Sequence, residues 1–178
     1  MEKYVVSARK YRPTKFEEVV GQEHVTTTLK NAIKNNKVAQ SLLFCGPRGV
    51  GKTTCARILA NEINEFTIKN PIESSNSLNI YELDAASNNS VDDIRNLIDQ
   101  VRYAPQSGKY KVYIIDEVHM LSNAAFNAFL KTLEEPPSYA IFILATTEKN
   151  KVIPTILSRC QIYDFNRIEI NDIKNKLI

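Results

Sequence analysis

No stretch of this 178-residue chain approaches the roughly 18 consecutive apolar residues that a membrane-spanning helix requires. The N-terminus, MEKYVVSARKYRP, is mixed and polar, so it lacks the apolar centre of a secretion signal. Tryptophan is absent, which carries no functional information. Cysteine is scarce. Cys45, Cys55 and Cys160 are odd in number and widely spaced, which argues against a disulfide framework and against a structural zinc site. Such thiols suit a reducing cytoplasm, the expected location. Excess charge of one sign is also small: 23 Lys and Arg against 20 Asp and Glu leave +3. That is too little to identify a nucleic-acid binder, though a local basic face remains compatible with it. Internal repeats and low-complexity tracts are lacking as well.

What remains is an ordinary globular composition, 43% hydrophobic and 24% charged. A chain of this length buries roughly 70% of its unfolded surface, enough for a real core. Apolar runs alternate with helical patterns, the signature of a parallel sheet with crossover helices. The runs predict strands at 41–45, 79–83, 111–115, 140–145 and 161–165, and strands buried on both faces read as continuous apolar stretches. Helices are predicted at 23–35, where Val25, Leu29, Ala32 and Ile33 share a face, and at 52–63, 90–101 and 123–134. Ser90 is a candidate N-cap with Asp93 three positions on, and Pro136-Pro137 closes the last helix. The polar segments Glu65 to Ser77 and Pro105 to Gly108 read as loop and turn. Beyond Arg167 a helical pattern resumes through Ile168, Ile170, Ile173 and Leu177. The expected fold is therefore α/β, a five-stranded parallel sheet sandwiched by helices.

The strongest chemical signal is Gly46-Pro47-Arg48-Gly49-Val50-Gly51-Lys52-Thr53, a complete G-x-x-x-x-G-K-[ST] pattern set between a strand and a helix. Glycines let such a loop fold tightly, so that successive N–H groups face phosphate oxygens. The helix that follows adds its positive end. Lys52 would reach the β- and γ-phosphates of ATP, and the Thr53 hydroxyl would ligate Mg²⁺. Thr54, next in the helix, completes the phosphate-binding set. A second element, Val112 through His119, places Asp116 and Glu117 at the C-terminal end of a buried strand, where ligands bind in open α/β sheets. Asp116 would hold the magnesium shell, partly through water, and Glu117 would polarise the attacking water. From the residues alone, Thr146-Thr147 is either a plain strand terminus or a γ-phosphate contact. Arg159, in Ser158-Arg159-Cys160, is either a surface arginine or a group reaching a neighbouring subunit. Cys160 reads as a small buried residue, and His24 and His119 show no partner in the sequence and receive no role.

Several blocks together resemble one family. These are Tyr11-Arg12-Pro13 with Val20-Gly21-Gln22, Cys45 through Arg57, Leu83-Asp84-Ala85-Ala86-Ser87 with Asp92-Asp93-Ile94-Arg95, Gly108 through Leu121, Phe126 through Pro137, and Ala145 through Cys160. They resemble the gamma/tau clamp-loader subunits of bacterial DNA polymerase III, which are AAA+ P-loop NTPases. The run LKTLEEPP with LATTEKNKVIPTILSRCQ is the narrowest part of the likeness. The resemblance implies that Tyr11, Arg12, Pro13 and Val20 border the adenine, that Thr147 senses the γ-phosphate, and that Arg159 acts in trans on ATP held by an adjacent subunit. It implies an ATPase that works with delta, delta prime and further gamma/tau copies to load the sliding clamp onto primer–template DNA. It also implies that the helix after Ser90 faces template phosphates.

The domain expectation follows: an AAA+ core over 1–166 and the start of a helical lid over 167–178. The family usually carries a four-cysteine zinc module after the P-loop helix. Glu65 to Ser77 has no cysteine, so no zinc and a shortened loop are expected. A lid with a second sensor arginine and an assembly collar lie outside this sequence, and hydrolysis by this piece alone is expected to be slow. Two other readings stand beside the main one: an ATP-binding but hydrolytically inert module of the same assembly, and a Holliday-junction branch-migration motor.

Overall fold

Alternation along each central strand is what builds this molecule in layers. In the computed structural model, which describes residues 7, 11–65, 79–106 and 108–177, five strands form: β1 (Ser41–Cys45), β2 (Ile80–Asp84), β3 (Lys111–Asp116), β4 (Ala140–Thr146) and β5 (Gln161–Asp164). All pair in parallel, in the order β2-β3-β4-β1-β5. Successive side chains on a strand point to opposite faces. Leu42, Phe44, Val112, Ile114, Ile141 and Ile143 therefore enter one apolar layer. Leu43, Cys45, Tyr113, Ile115, Phe142 and Leu144 enter the other.

Helices cover both layers. One side takes α1 (Glu23–Lys34), through Val25 and Leu29, and α2 (Lys52–Ile63), through Cys55, Ala56, Ile58, Leu59 and Ile63. The other side takes α3 (Val91–Val101), through Ile94, Leu97 and Val101, and α4 (Asn123–Glu134), through Ala125, Phe126, Phe129 and Leu133. Burying Phe126 or Phe129 contributes about 1.5–3 kcal/mol each by area. Two serines start the second pair. Ser90 Oγ accepts from Asp93 N at 3.2 Å while Asp93 Oδ2 accepts from Ser90 N at 3.1 Å, a reciprocal cap. Ser122 Oγ accepts from Ala125 N at 3.2 Å. A short helix, α5 (Pro154–Leu157), opens on proline, and α6 (Ile170–Leu177) follows β5.

The expected fold stands, with two local differences. Strand β2 begins one residue later than the sequence predicts, and it is not buried on both faces: only Ile80 of β2 is fully buried, as only Tyr163 is in β5. Both lie at the sheet edges. Of the segment Glu65 to Ser77, only Glu65 lies within the described residues, so the shortened loop and the missing zinc module fall outside them. No helix among the described residues is long and apolar enough to cross a membrane.

Candidate functional site

Strands β1 and β3 flank β4, and their registers place Cys45 opposite Thr146 and Ile115 opposite Leu144. The C-terminal ends of three neighbouring strands thus emerge along one edge, which is where the polar residues collect.

The loop from β1 to α2 holds three of the chain's five glycines. Two positions require that residue. Gly51 caps α2 at φ 102°, a left-handed conformation that other residues adopt only under strain. At Gly46 a side chain has no room: a Cβ there would lie 2.6 Å from Phe165 O and 2.8 Å from Phe165 Cβ. The loop is thereby pressed against the chain leaving β5. The first turn of α2 presents backbone N–H groups without intrahelical partners, the usual donors for phosphate.

Lys52 opens α2 and is nearly enclosed, 6% exposed. Its Nζ donates to Gly46 O at 2.7 Å and Pro47 O at 2.6 Å. Burial pushes the ammonium below the ordinary lysine range, while the nearby charges of Glu117 and Asp116 oppose that shift. Thr53 Oγ1 donates to Asp116 Oδ2 at 2.5 Å. Glu117 N donates to Asp116 Oδ1 at 2.9 Å, and Glu117 itself sits at φ 49°, ψ 44°. A left-handed non-glycine residue costs on the order of 1–3 kcal/mol, a strain typical of sites where orientation matters. Thr147 Oγ1 donates to Glu117 Oε2 at 3.0 Å.

These groups face a cleft of about 1130 Å³. Tyr11, Arg12, Pro13, Val19 and Val20 line it together with Arg48 through Thr54, Asp116 and Glu117. The structure thus brings together Tyr11, Arg12, Pro13, Val20, Arg48 through Thr54, Asp116 and Glu117, while Gly46 and Pro47 do not line the cleft but hold Lys52 through their carbonyls and Thr147 is attached through Glu117. Arg159 stands apart and does not line the cleft. Its Nη1 donates to Thr155 O at 2.7 Å and its Nη2 pairs with Glu134. The donors fit a magnesium ion chemically: a hydroxyl and a carboxylate, both hard oxygens, converge from Thr53 and Asp116. Asp116 is the carboxylate bonded to Thr53, so most of such an ion's shell would fall to water and phosphate.

Several features were not legible beforehand. Both histidines have partners. His24 Nε2 lies 2.8 Å from Asp164 O. His119 Nδ1 lies 2.9 Å from Thr146 Oγ1. The absence of a partner read from the sequence is corrected for both, because each bond spans a strand end far along the chain. Arg57 and Glu82 form a two-pronged pair within the cleft, Nε–Oε1 2.6 Å and Nη2–Oε2 2.7 Å. Nothing in the local sequence signals Glu134 as the partner of Arg159. Cys160 is only partly buried rather than enclosed. Burial still pushes its thiol up to about 12, and those of Cys45 and Cys55 to about 11 and about 12. All three therefore stay protonated and unreactive at neutral pH.

A family model described as DNA polymerase III, delta subunit, matches residues 21–169. The tau subunit of DNA polymerase III from Bacillus subtilis is 50% identical over 98% of this chain and 33% of its own length. The Escherichia coli tau subunit is 47% identical over 98% of this chain and 29% of its own. The chain thus spans about a third of the length of these two relatives. Among solved structures, a DNA polymerase III gamma subunit-related protein from Thermotoga maritima aligns with a TM-score of 0.64 at 26% identity, over 79% of this chain and 46% of that one. The RuvB Holliday junction branch migration motor of the same organism aligns with 0.71 at 24% identity, over 94% and 52%, a likeness of fold alone.

Proposed function

Because the chain belongs to the DNA polymerase III family whose delta-subunit model spans residues 21–169, we propose that it is the ATP-binding and hydrolysing core of a replicative clamp loader. One observation carries this reading: Lys52, Thr53, Asp116 and Glu117 meet in a single cleft from the ends of two strands that flank a third. An inert binding module would not need this whole set.

In this reading Tyr11, Arg12, Pro13 and Val20 enclose the adenine. The amides of Gly46 through Thr54 and the Lys52 ammonium hold the phosphates, with Lys52 exchanging its carbonyl partners for phosphate oxygens. Thr53 and Asp116 would hold Mg²⁺, which supplies charge neutralisation across the β- and γ-phosphates. Glu117 orients a water for in-line attack and draws off its proton. Thr147, bonded to Glu117, registers the γ-phosphate. Arg159 serves a neighbouring subunit's nucleotide, once released from Glu134. The helix Ile170–Leu177 begins a lid, and residues 1–166 form the ATPase core. The assembly partners are delta, delta prime and further gamma/tau copies, acting on the sliding clamp and primer–template DNA in the cytoplasm.

The test uses the full-length protein with those subunits, clamp and DNA. ATP hydrolysis should rise when clamp and primer–template are added, and Lys52→Ala should abolish both ATP binding and that rise. Hydrolysis that ignores Lys52→Ala, or that responds to a four-way junction but not to clamp and primer–template, would reject this function.

A further inference from the structure

His119 is nearly enclosed, with 6% of its side chain exposed, yet the mechanism above gives it no task. It lies on the tight turn Val118–Met120 that follows Glu117. Three polar groups surround the ring. Nδ1 is 2.9 Å from Thr146 Oγ1 and 3.4 Å from Glu117 Oε2, and Nε2 is 3.6 Å from Glu148 Oε1. Thr146 is fixed in turn, its Oγ1 accepting from Glu148 N at 3.0 Å. Glu148 is tied to Lys151 at 2.7 Å.

The two oxygens of Glu117 are treated differently. Oε2 faces Thr147 Oγ1, Thr147 N at 3.4 Å and the imidazole. Oε1 has no hydrogen-bond partner among the described residues. A carboxylate held by one oxygen leaves the other to meet a substrate water in one orientation. A side chain on a strained left-handed residue needs such holding.

We propose that His119 is a positioning residue that holds Oε2 of Glu117 against the end of β4, so that Oε1 is the oxygen that receives the proton of the attacking water. Resting on the proposed ATPase reading, this assigns no contact between His119 and nucleotide. The imidazole acts only through Glu117, and the contact that matters is made by Nδ1.

Bond counting provides the test. An asparagine amide sits as many bonds from Cα as Nδ1 does, whereas a glutamine amide sits where Nε2 does. In the full-length assembled protein, His119→Ala should slow single-turnover ATP hydrolysis roughly ten-fold, less than the roughly 10²–10⁴-fold that losing a general base outright costs, while ATP affinity stays within about two-fold. His119→Asn should recover most of the rate and His119→Gln should not. Equal rates for the Asn and Gln variants, an unaltered rate for the Ala variant, or affinity falling in step with rate would each overturn the proposal. If the Ala variant does not fold, the Asn and Gln pair decides alone. Glu117→Gln is the control for the underlying reading. If it hydrolyses normally, the role of Glu117 fails and this inference with it. If it is inactive while His119→Ala is unaffected, only the role of His119 is lost.

Discussion

The middle of the sheet and its margins use similar apolar residues but end in different chemistry. Strands β1, β3 and β4 are buried almost throughout, and at the ends of their buried stretches or just past them stand the phosphate loop, Asp116-Glu117 and Thr146-Thr147. Strands β2 and β5 each hold one buried residue among half-buried and exposed ones and end in Asp84 and Asp164, which bond to turn and surface groups. The lesson is mechanical. A strand fixed by neighbours on both sides and helices on both faces can aim a carboxylate and hold a strained backbone, because little around it can relax. A margin strand cannot, so its terminal charges are spent on solvated contacts. If this is right, the same kind of substitution should cost far more in the middle than at the edge.

The largest expected effect is at Phe142 in β4. It is fully enclosed and its ring stands 5.4 Å from that of Tyr113 and 5.2 Å, edge-on, from that of Phe129. Phe142→Ala should destabilise the fold by about 3–5 kcal/mol, read as a shift in the urea midpoint at unchanged slope. Ile162→Ala on margin strand β5, where the side chain is only partly covered, should cost clearly less. Equal losses would erase the distinction between middle and margin.

A second prediction sharpens the picture from the opposite direction. Tyr113 is fully enclosed on β3, stacked on Tyr81 at 5.0 Å, and its hydroxyl has no hydrogen-bond partner among the described residues. Burial pushes that phenol well above its usual range. A buried donor without a partner is a net cost of about 1–3 kcal/mol. Tyr113→Phe keeps the ring and removes the cost, so it should raise stability by about 1 kcal/mol, measured in the same titration. A loss of stability instead would mean that the hydroxyl is engaged.

Much of this was legible in the sequence because the central strands follow one rule each. Their apolar runs are unbroken and the residues after them are chemically distinctive, so β1, β3, β4, the phosphate loop and Asp116-Glu117 all read directly. The Ser90 cap and the stop before Pro136 follow local rules and read equally well. What did not read is what depends on distance along the chain. His119 meets Thr146, Arg57 meets Glu82, and Arg159 meets Glu134, each across 25 or 27 residues. No local pattern encodes which strand ends become neighbours; that requires the order β2-β3-β4-β1-β5. The same holds for edge position, which is why β2 looked like a buried strand.

The smallest expected effect tests the margin directly. Lys149 Nζ lies 3.1 Å from Asp164 Oδ1, at the end of β5, and the side chains are 43% and 66% exposed. The pair is intramolecular, well formed in distance, and only a few residues from the phosphate loop along the β1–β5 pairing, where Cys45 stands opposite Asp164. Its distance alone suggests a firm contact. Its solvation says otherwise: water competes for both ions, and holding a long lysine chain in place costs entropy. Lys149→Ala should therefore change stability by less than about 0.5 kcal/mol, and raising salt should remove what difference there is. A loss several times larger, persisting at high salt, would mean that this margin strand is held as firmly as the centre, and the division of labour within the sheet would have to be redrawn.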